Sequence, residues 1–285
     1  MTTISKYFSL VKFAHTIFAM PFALIGFFLG VRTRESQHYG LLLLLVILCM
    51  VFARSAAMSF NRWADEKYDK LNPRTNRREI PTGEIKKNHA LIFVILNCIL
   101  FILTTFFINR LCFYLSPVAL LIVLGYSYTK RFTALCHLVL GLGLSLAPIG
   151  AFIAVTGHFS LLPVMFSIVV LCWVSGFDII YALQDDAFDR ENNLHSLPVR
   201  LGRERGLLFS SVLHAMAAVL VIIAGIYGGF HWVYWLGASI FIGMLVYQHL
   251  LVKPDDLRKV NIAFMTANGI ASCIYAVFVI GAIFI

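Results

Sequence analysis

Long uncharged stretches alternate with short charged ones along this chain, and their spacing predicts its elements. Each uncharged stretch reaches roughly 20 residues, the length an α-helix needs to cross about 30 Å of hydrocarbon. The pattern places a first helix over about 13–31 and a second over about 39–60, with Arg54 inside its C-terminal part. A third follows over about 89–109 and a fourth over about 111–129. No charged residue occurs between Arg131 and Asp178, a stretch too long for one helix. Thr156-Gly157-His158 and Pro163 mark its break into a fifth helix (132–155) and a sixth (160–183). Residues 206–252 divide likewise near Gly228-Gly229-Phe230-His231, and a ninth helix runs from about 260 onward. The expectation is an all-α polytopic membrane protein with nine transmembrane helices.

Composition agrees with that reading. Hydrophobic residues make up 60% of the 285 and charged residues 13%, with a mean hydropathy of +0.85. Soluble domains carry about 25% charged residues. The six cysteines all lie in apolar segments without a C-x-x-C, so they read as small packing residues rather than a disulfide or zinc set. Lys6 and Lys12 precede an apolar run, as in a signal peptide. That run is long, lacks an A-x-A site and is followed by further spans, so it reads as an uncleaved first helix.

Charge fixes an expected orientation. Of 23 Lys and Arg, 19 fall in the N-terminal segment or after the even-numbered helices, and only Arg32, Arg34 and Arg110 fall on the other side. Glu35 is the one acidic residue of 14 on that side. The positive-inside rule then puts the N-terminus and the even-numbered loops in the cytoplasm and the C-terminus outside, in the inner (cytoplasmic) membrane. A net charge of +9 suits an anionic leaflet and calls for no nucleic acid or protein partner.

Two acidic clusters stand at the cytoplasmic ends of the second and sixth helices. Asp65 and Asp69 in one map onto Asp185 and Asp189 in the other at a constant offset of 120 residues. The offset reads as two four-helix repeats plus a ninth helix. Asn61, Asp65 and Asp69 share one face if the second helix continues past the membrane surface, spread over about 12 Å. Carboxylates are costly at a membrane boundary, and paired hard oxygen ligands suit Mg²⁺ holding a phosphorylated substrate. The bland alternative is a pair of solvated helix ends.

Lys67, Arg74, Arg77 and Arg78 follow the first cluster, Lys130 and Arg131 stand beside Tyr126 and Tyr128, and Arg190 and Arg200 follow the second. Such cations would neutralise a diphosphate, or else contact anionic lipid. Arg54 and Asp178 each lie seven residues before a cluster, two turns deeper. They could pair with each other; alternatively Arg54 receives an aromatic carboxylate while Asp178, with Tyr181, stabilises a cation or accepts a proton. The histidines, His137 among them, show no metal-ligand spacing, and Gly141-Leu142-Gly143 reads as a close-packing patch. No Ser/His/Asp arrangement, P-loop or dinucleotide glycine pattern appears.

Three segments together resemble UbiA-type intramembrane prenyltransferases. The first runs from Arg54 through Asn61-Arg62-Trp63-Ala64-Asp65-x3-Asp69 to Asn72-Pro73-Arg74-Thr75 and Arg78. The second is Tyr126-Ser127-Tyr128-Thr129-Lys130-Arg131. The third runs from Asp178-Ile179-Ile180-Tyr181 through Gln184-Asp185-x3-Asp189 to His195-Ser196-Leu197-Pro198 and Arg200. The resemblance implies one domain over residues 1–285, helices around a central cavity, Mg²⁺ dependence and a polyprenyl diphosphate donor. It implies metal ligation by Asp65, Asp69, Asp185 and Asp189. Diphosphate contacts would come from Asn61, Lys67, Arg74, Arg78, Tyr126, Lys130 and Arg131. Catalytic roles fall to Asp178, Asp185, Arg54 and Tyr181. Within the family the loops look closest to enzymes prenylating 4-hydroxybenzoate for ubiquinone, or a dihydroxynaphthoate for menaquinone. A secondary transporter is the non-enzyme alternative, although its charges would sit near the midplane.

Overall fold

The computed structural model describes residues 3–11, 18–33 and 38–285. Lys12, His15, Arg34 and Glu35, and with them the start of the first expected span, lie outside the described residues. The elements are α1 (Thr3–Leu10), α2 (Met20–Thr33), α3 (Tyr39–Ala64), α4 (Glu66–Leu71), α5 (Lys87–Ile108), α6 (Arg110–Thr129) and α7 (Cys136–Thr156). There follow α8 (Leu161–Ala182), α9 (Asp186–Glu191), α10 (Leu197–Leu201), α11 (Arg203–Tyr227), α12 (Trp232–Leu251), a π-helical turn (Ile262–Ala267) and α13 (Asn268–Phe284). The described residues contain no β-strand.

Eight of these segments are long and apolar enough to cross a membrane. α2 is apolar but has only 14 residues, about 21 Å at ~1.5 Å per residue, where the first of nine spans was expected. The remaining boundaries fall within a few residues of expectation. The break after α7 is made by Gly157, whose φ of +75° closes the helix in the left-handed conformation that glycine adopts without strain.

α8 forms the centre, flanked by α7 and α11. Its Trp173 stands among Phe22 at 5.2 Å, Phe177 at 5.2 Å and Phe241 at 5.7 Å between ring centres. Helices surrounded by lipid gain little from hydrophobic exclusion, so close packing and interhelical hydrogen bonds carry the association. Trp173 donates its indole N–H to Asn268 Oδ1 at 2.7 Å, and Gln248 donates to the same oxygen at 2.8 Å. Tyr234 and Tyr275 share a hydroxyl hydrogen bond of 2.8 Å, while Tyr234 donates to Val221 O.

The 120-residue offset has a counterpart in the backbone. α3 ends at Asp65 (φ −93°, ψ 9°) and the short α4 begins there. α8 ends in a 3₁₀ turn at Asp185 (φ −109°, ψ 4°), where the short α9 begins. Both aspartates occupy the sparsely populated bridge region. This corrects one expectation: Asn61, Asp65 and Asp69 do not lie along one uninterrupted helix, because the chain turns at the first carboxylate of each pair.

Candidate active site

Pro73 cannot continue a helix, so α4 ends at Leu71 and the chain enters a loop over 72–86. Asn72 starts that loop by accepting the Arg74 N–H on its side-chain oxygen at 2.9 Å. Its amide donates to Asp185 Oδ1 at 3.1 Å. Arg74 follows with Nε on the same oxygen at 2.9 Å and a second, shorter contact to Asp185 Oδ2. This is a bidentate fork, whose planar geometry fixes the carboxylate. Arg74 also donates to the Tyr181 hydroxyl at 2.8 Å. Phe264, carried by the π-helical turn, stacks on the Tyr181 ring at 4.2 Å. Asn268 holds that turn by donating to Ala263 O and Phe264 O, both at 3.0 Å.

The other three carboxylates each meet one cation. Arg78 donates to Asp69 Oδ1 at 2.6 Å. Lys130, at the C-terminus of α6, lies 2.8 Å from Asp189 Oδ2. Arg131 reaches Asp65 Oδ1 at 3.1 Å and Ala64 O at 2.7 Å, with its guanidinium over the rings of Tyr128 and Tyr68. Asn61 donates to Asp65 Oδ2 at 3.0 Å.

Burial pushes the Asp65 carboxyl above the usual carboxylate range despite Arg131. Burial also disfavours the Lys130 and Arg74 charges, but Asp189 and Asp185 beside them win and hold both cations charged. Asp69 Oδ2 and Asp189 Oδ1 are buried with no hydrogen-bond partner among the described residues. An all-oxygen donor set with such unsatisfied atoms fits a hard divalent cation. No three His, Cys, Asp or Glu side chains converge on one centre among the described residues.

A cavity of about 900 Å³ opens beneath this cluster. Its polar end includes Arg54, Asn61, Arg74, Arg78, Tyr126, Asp178 and Tyr181, and its walls are largely aliphatic and aromatic. Arg54 makes no ion pair among the described residues, and its Nε has no hydrogen-bond partner. The expected alternative, an Arg54–Asp178 pair, is not formed. Asp178 instead receives His137 Nδ1 at 2.7 Å.

Several expected contributors stand apart. Lys67 is exposed on α4 and joins no ion pair among the described residues, and Arg190 and Arg200 are exposed. Asp186, inside the second cluster, pairs with Arg203 at 2.7 Å and so ties α9 to α11. Sequence reasoning missed His137, the Asn72 contact and two buried charges lining the cavity, Arg62 and Glu79. Ser9 of α1 donates to Glu79 Oε1. Asn72 could have been found as an Asn-Pro helix stop beside an acidic cluster; His137 carries no local signal.

Comparison with known proteins bears on the whole chain. A 4-hydroxybenzoate octaprenyltransferase of Francisella tularensis subsp. mediasiatica (strain FSC147) is 30% identical over 240 residues, 84% of this chain and 84% of that protein. One from Tolumonas auensis is 28% identical over 235 residues, 82% of each. Among solved structures, the apo form of a UbiA homologue from Aeropyrum pernix K1 aligns with a TM-score of 0.80 at 28% identity, over 95% of this chain and 96% of that one. A UbiA homologue from Archaeoglobus fulgidus bound to DMAPP and Mg²⁺ aligns with a TM-score of 0.74 at 20% identity, over 98% and 99%, which shows a shared fold. The UbiA prenyltransferase family profile matches residues 19–270, which removes the transporter alternative. With this match, a membrane-embedded helical bundle and a cation-paired aspartate cluster over an apolar cavity, the chain belongs to the UbiA prenyltransferase family and is an integral membrane prenyltransferase.

Proposed function

We propose that this protein transfers a polyprenyl group from its diphosphate to the ring of an aromatic acid, 4-hydroxybenzoate, with Mg²⁺ at the site. The observation that carries the reading is the polar end of the cavity. Four carboxylates, each with a cation, stand above an apolar chamber that also holds Arg54, a guanidinium without an ion pair among the described residues. The named octaprenyltransferase relatives support the donor and acceptor classes, and the Archaeoglobus homologue supports the metal.

Asp65, Asp69, Asp185 and Asp189 would hold the metal, whose Lewis acidity makes pyrophosphate a better leaving group. Arg74, Arg78, Lys130 and Arg131, freed from their carboxylates, turn to the diphosphate oxygens and bind the charge that develops there. Asn61 keeps Asp65 oriented. The apolar walls accommodate the prenyl tail and exclude water from the allylic centre. Arg54 fits the acceptor carboxylate as a bidentate partner. Asp178 faces the positive charge of the transferring carbon and takes the proton that the ring loses when the new carbon–carbon bond forms. The cluster faces the cytoplasm, from which the soluble aromatic acid would arrive, while the prenyl tail of the donor would enter from the bilayer.

Purified protein with Mg²⁺, geranyl or longer diphosphate and either 4-hydroxybenzoate or a dihydroxynaphthoate, analysed by mass, tests this directly. A prenylated hydroxybenzoate that disappears with a chelator is the expected product. Prenylated naphthoate alone transfers the reading to the second acceptor, and no product from either acceptor rejects it.

A further inference from the structure

His137 lies one helical turn before Gly141 on α7, and Asp178 lies nearly one turn after Ser175 on α8. A Cβ on Gly141 would stand 2.2 Å from Ser175 Oγ and 2.6 Å from Leu171 O, closer than packing allows. The bare glycine therefore lets α7 and α8 approach at that level, and the approach brings the next turn of each helix, His137 and Asp178, within hydrogen-bond distance. His137 is buried, so its ring has few alternative partners.

Both ring nitrogens are engaged. The Leu197 backbone N–H points at Nε2 at 3.4 Å, and Nδ1 lies 2.7 Å from Asp178 Oδ2. An N–H can only donate, so Nε2 accepts and the ring proton sits on Nδ1, which donates to Asp178. That bond occupies one oxygen of Asp178. The side chain lines the cavity, and Oδ1 has no hydrogen bond among the described residues. Leu197 belongs to the segment that follows the second acidic cluster, where His195 N also bonds Lys130 O at 2.7 Å. His137 thus ties that segment to the deep carboxylate.

We infer that His137 is a positioning residue: its Nδ1–H clamps one oxygen of Asp178 and turns the other toward the reacting carbons. The inference rests on the reading of Asp178 proposed above. A partner outside the reacting centre that orients a reacting group is worth about 10- to 100-fold in activity.

Full-length protein carrying ¹⁵N-histidine reads the ring without any acceptor. The signal lost in His137→Asn is assigned to His137 and is expected to show the proton on Nδ1 with Nε2 bare. A proton on Nε2 alone overturns the inference. Prenyl transfer is measured alongside. His137→Phe is expected to lower kcat about 10- to 100-fold with the donor KM within about twofold of wild type. His137→Asn, whose amide nitrogen can stand in for Nδ1–H, should recover most of the loss. Adding His137→Phe to Asp178→Asn should cost nothing further. Full kcat in His137→Phe, or equal losses in the Phe and Asn variants, would overturn the assignment. If wild-type protein prenylates none of the acceptors offered, the acceptor reading fails, while the nitrogen signals still decide the role of His137.

Discussion

In the first acidic cluster Asp69 finds its cation nine residues away, in Arg78 of the adjoining loop. In the second, Asp185 is held by Arg74, 111 residues earlier, and Asp189 by Lys130 at the end of α6. The backbone treatment is the same at Asp65 and Asp185, yet the charge treatment differs. The cations for Asp185 and Asp189 both come from the first half of the chain, so these two pairs staple the halves together. The helices that lead into the clusters differ in burial: 67% of the apolar window of α8 is buried inside the protein, against 17% for α3. Burial of the carboxylate does not decide the reach of its partner: Asp69 and Asp185 are 5% and 8% exposed, yet one takes its cation from the adjoining loop and the other from 111 residues away. The deeper residues differ as well, since Asp178 has a partner in His137 while Arg54 makes no ion pair among the described residues.

The largest effect expected from breaking this comparison is at Asp185. If Asp185 holds the metal as proposed, Asp185→Asn should remove several kcal/mol of transition-state charge stabilisation, lowering prenyl transfer about 10³-fold or more. Turnover by the variant at saturating Mg²⁺ checks it. Arg74 and Arg78 separate the long-range pair from the local one. Arg74→Ala should raise the donor KM about 10- to 100-fold and also lower the melting temperature, because it unfastens the halves. Arg78→Ala also leaves the buried Asp69 without its cation but loosens only the adjoining loop. Its melting loss should therefore be the smaller one, and equal losses in both variants would refute the stapling role. The unpaired charge is probed by Arg54→Gln. The acceptor KM should rise about tenfold while the donor KM holds, and an acceptor lacking its carboxylate should show no such penalty. The smallest effect belongs to Asp186 and Arg203, a partly exposed pair outside the cavity. Arg203→Ala should cost no more than about 1 kcal/mol of stability and leave activity intact.

Much of this arrangement was legible along the chain, and the parts that were not share a cause. Hydropathy is a local property, so the long helices α3, α5, α6, α7, α8, α11 and α12 lie within a few residues of the expected positions, whereas the short α4, α9 and α10 were not foreseen. The constant offset between Asp65/Asp69 and Asp185/Asp189 announced two equivalent sites. The offset could not show that the chain turns at Asp65 and Asp185, because the i, i+4 spacing fits a straight helix equally well. Nor could it apportion the cations. Among the described residues Arg74, Arg78, Lys130 and Arg131 form pairs within the site and Lys67 does not, although all five are basic residues near an acidic cluster. The difference is the direction in which each element faces once the bundle has packed.

The sequence by itself determined the membrane, the helices, the paired aspartates and the family, because each is written in short-range pattern or contiguous motif. The tertiary structure alone decided which carboxylate meets which cation, and that His137 rather than Arg54 meets Asp178. That last choice depends on how closely α7 and α8 approach at Gly141. Charges in an apolar interior take the partner that packing brings within hydrogen-bond reach, and packing is a property of the whole bundle.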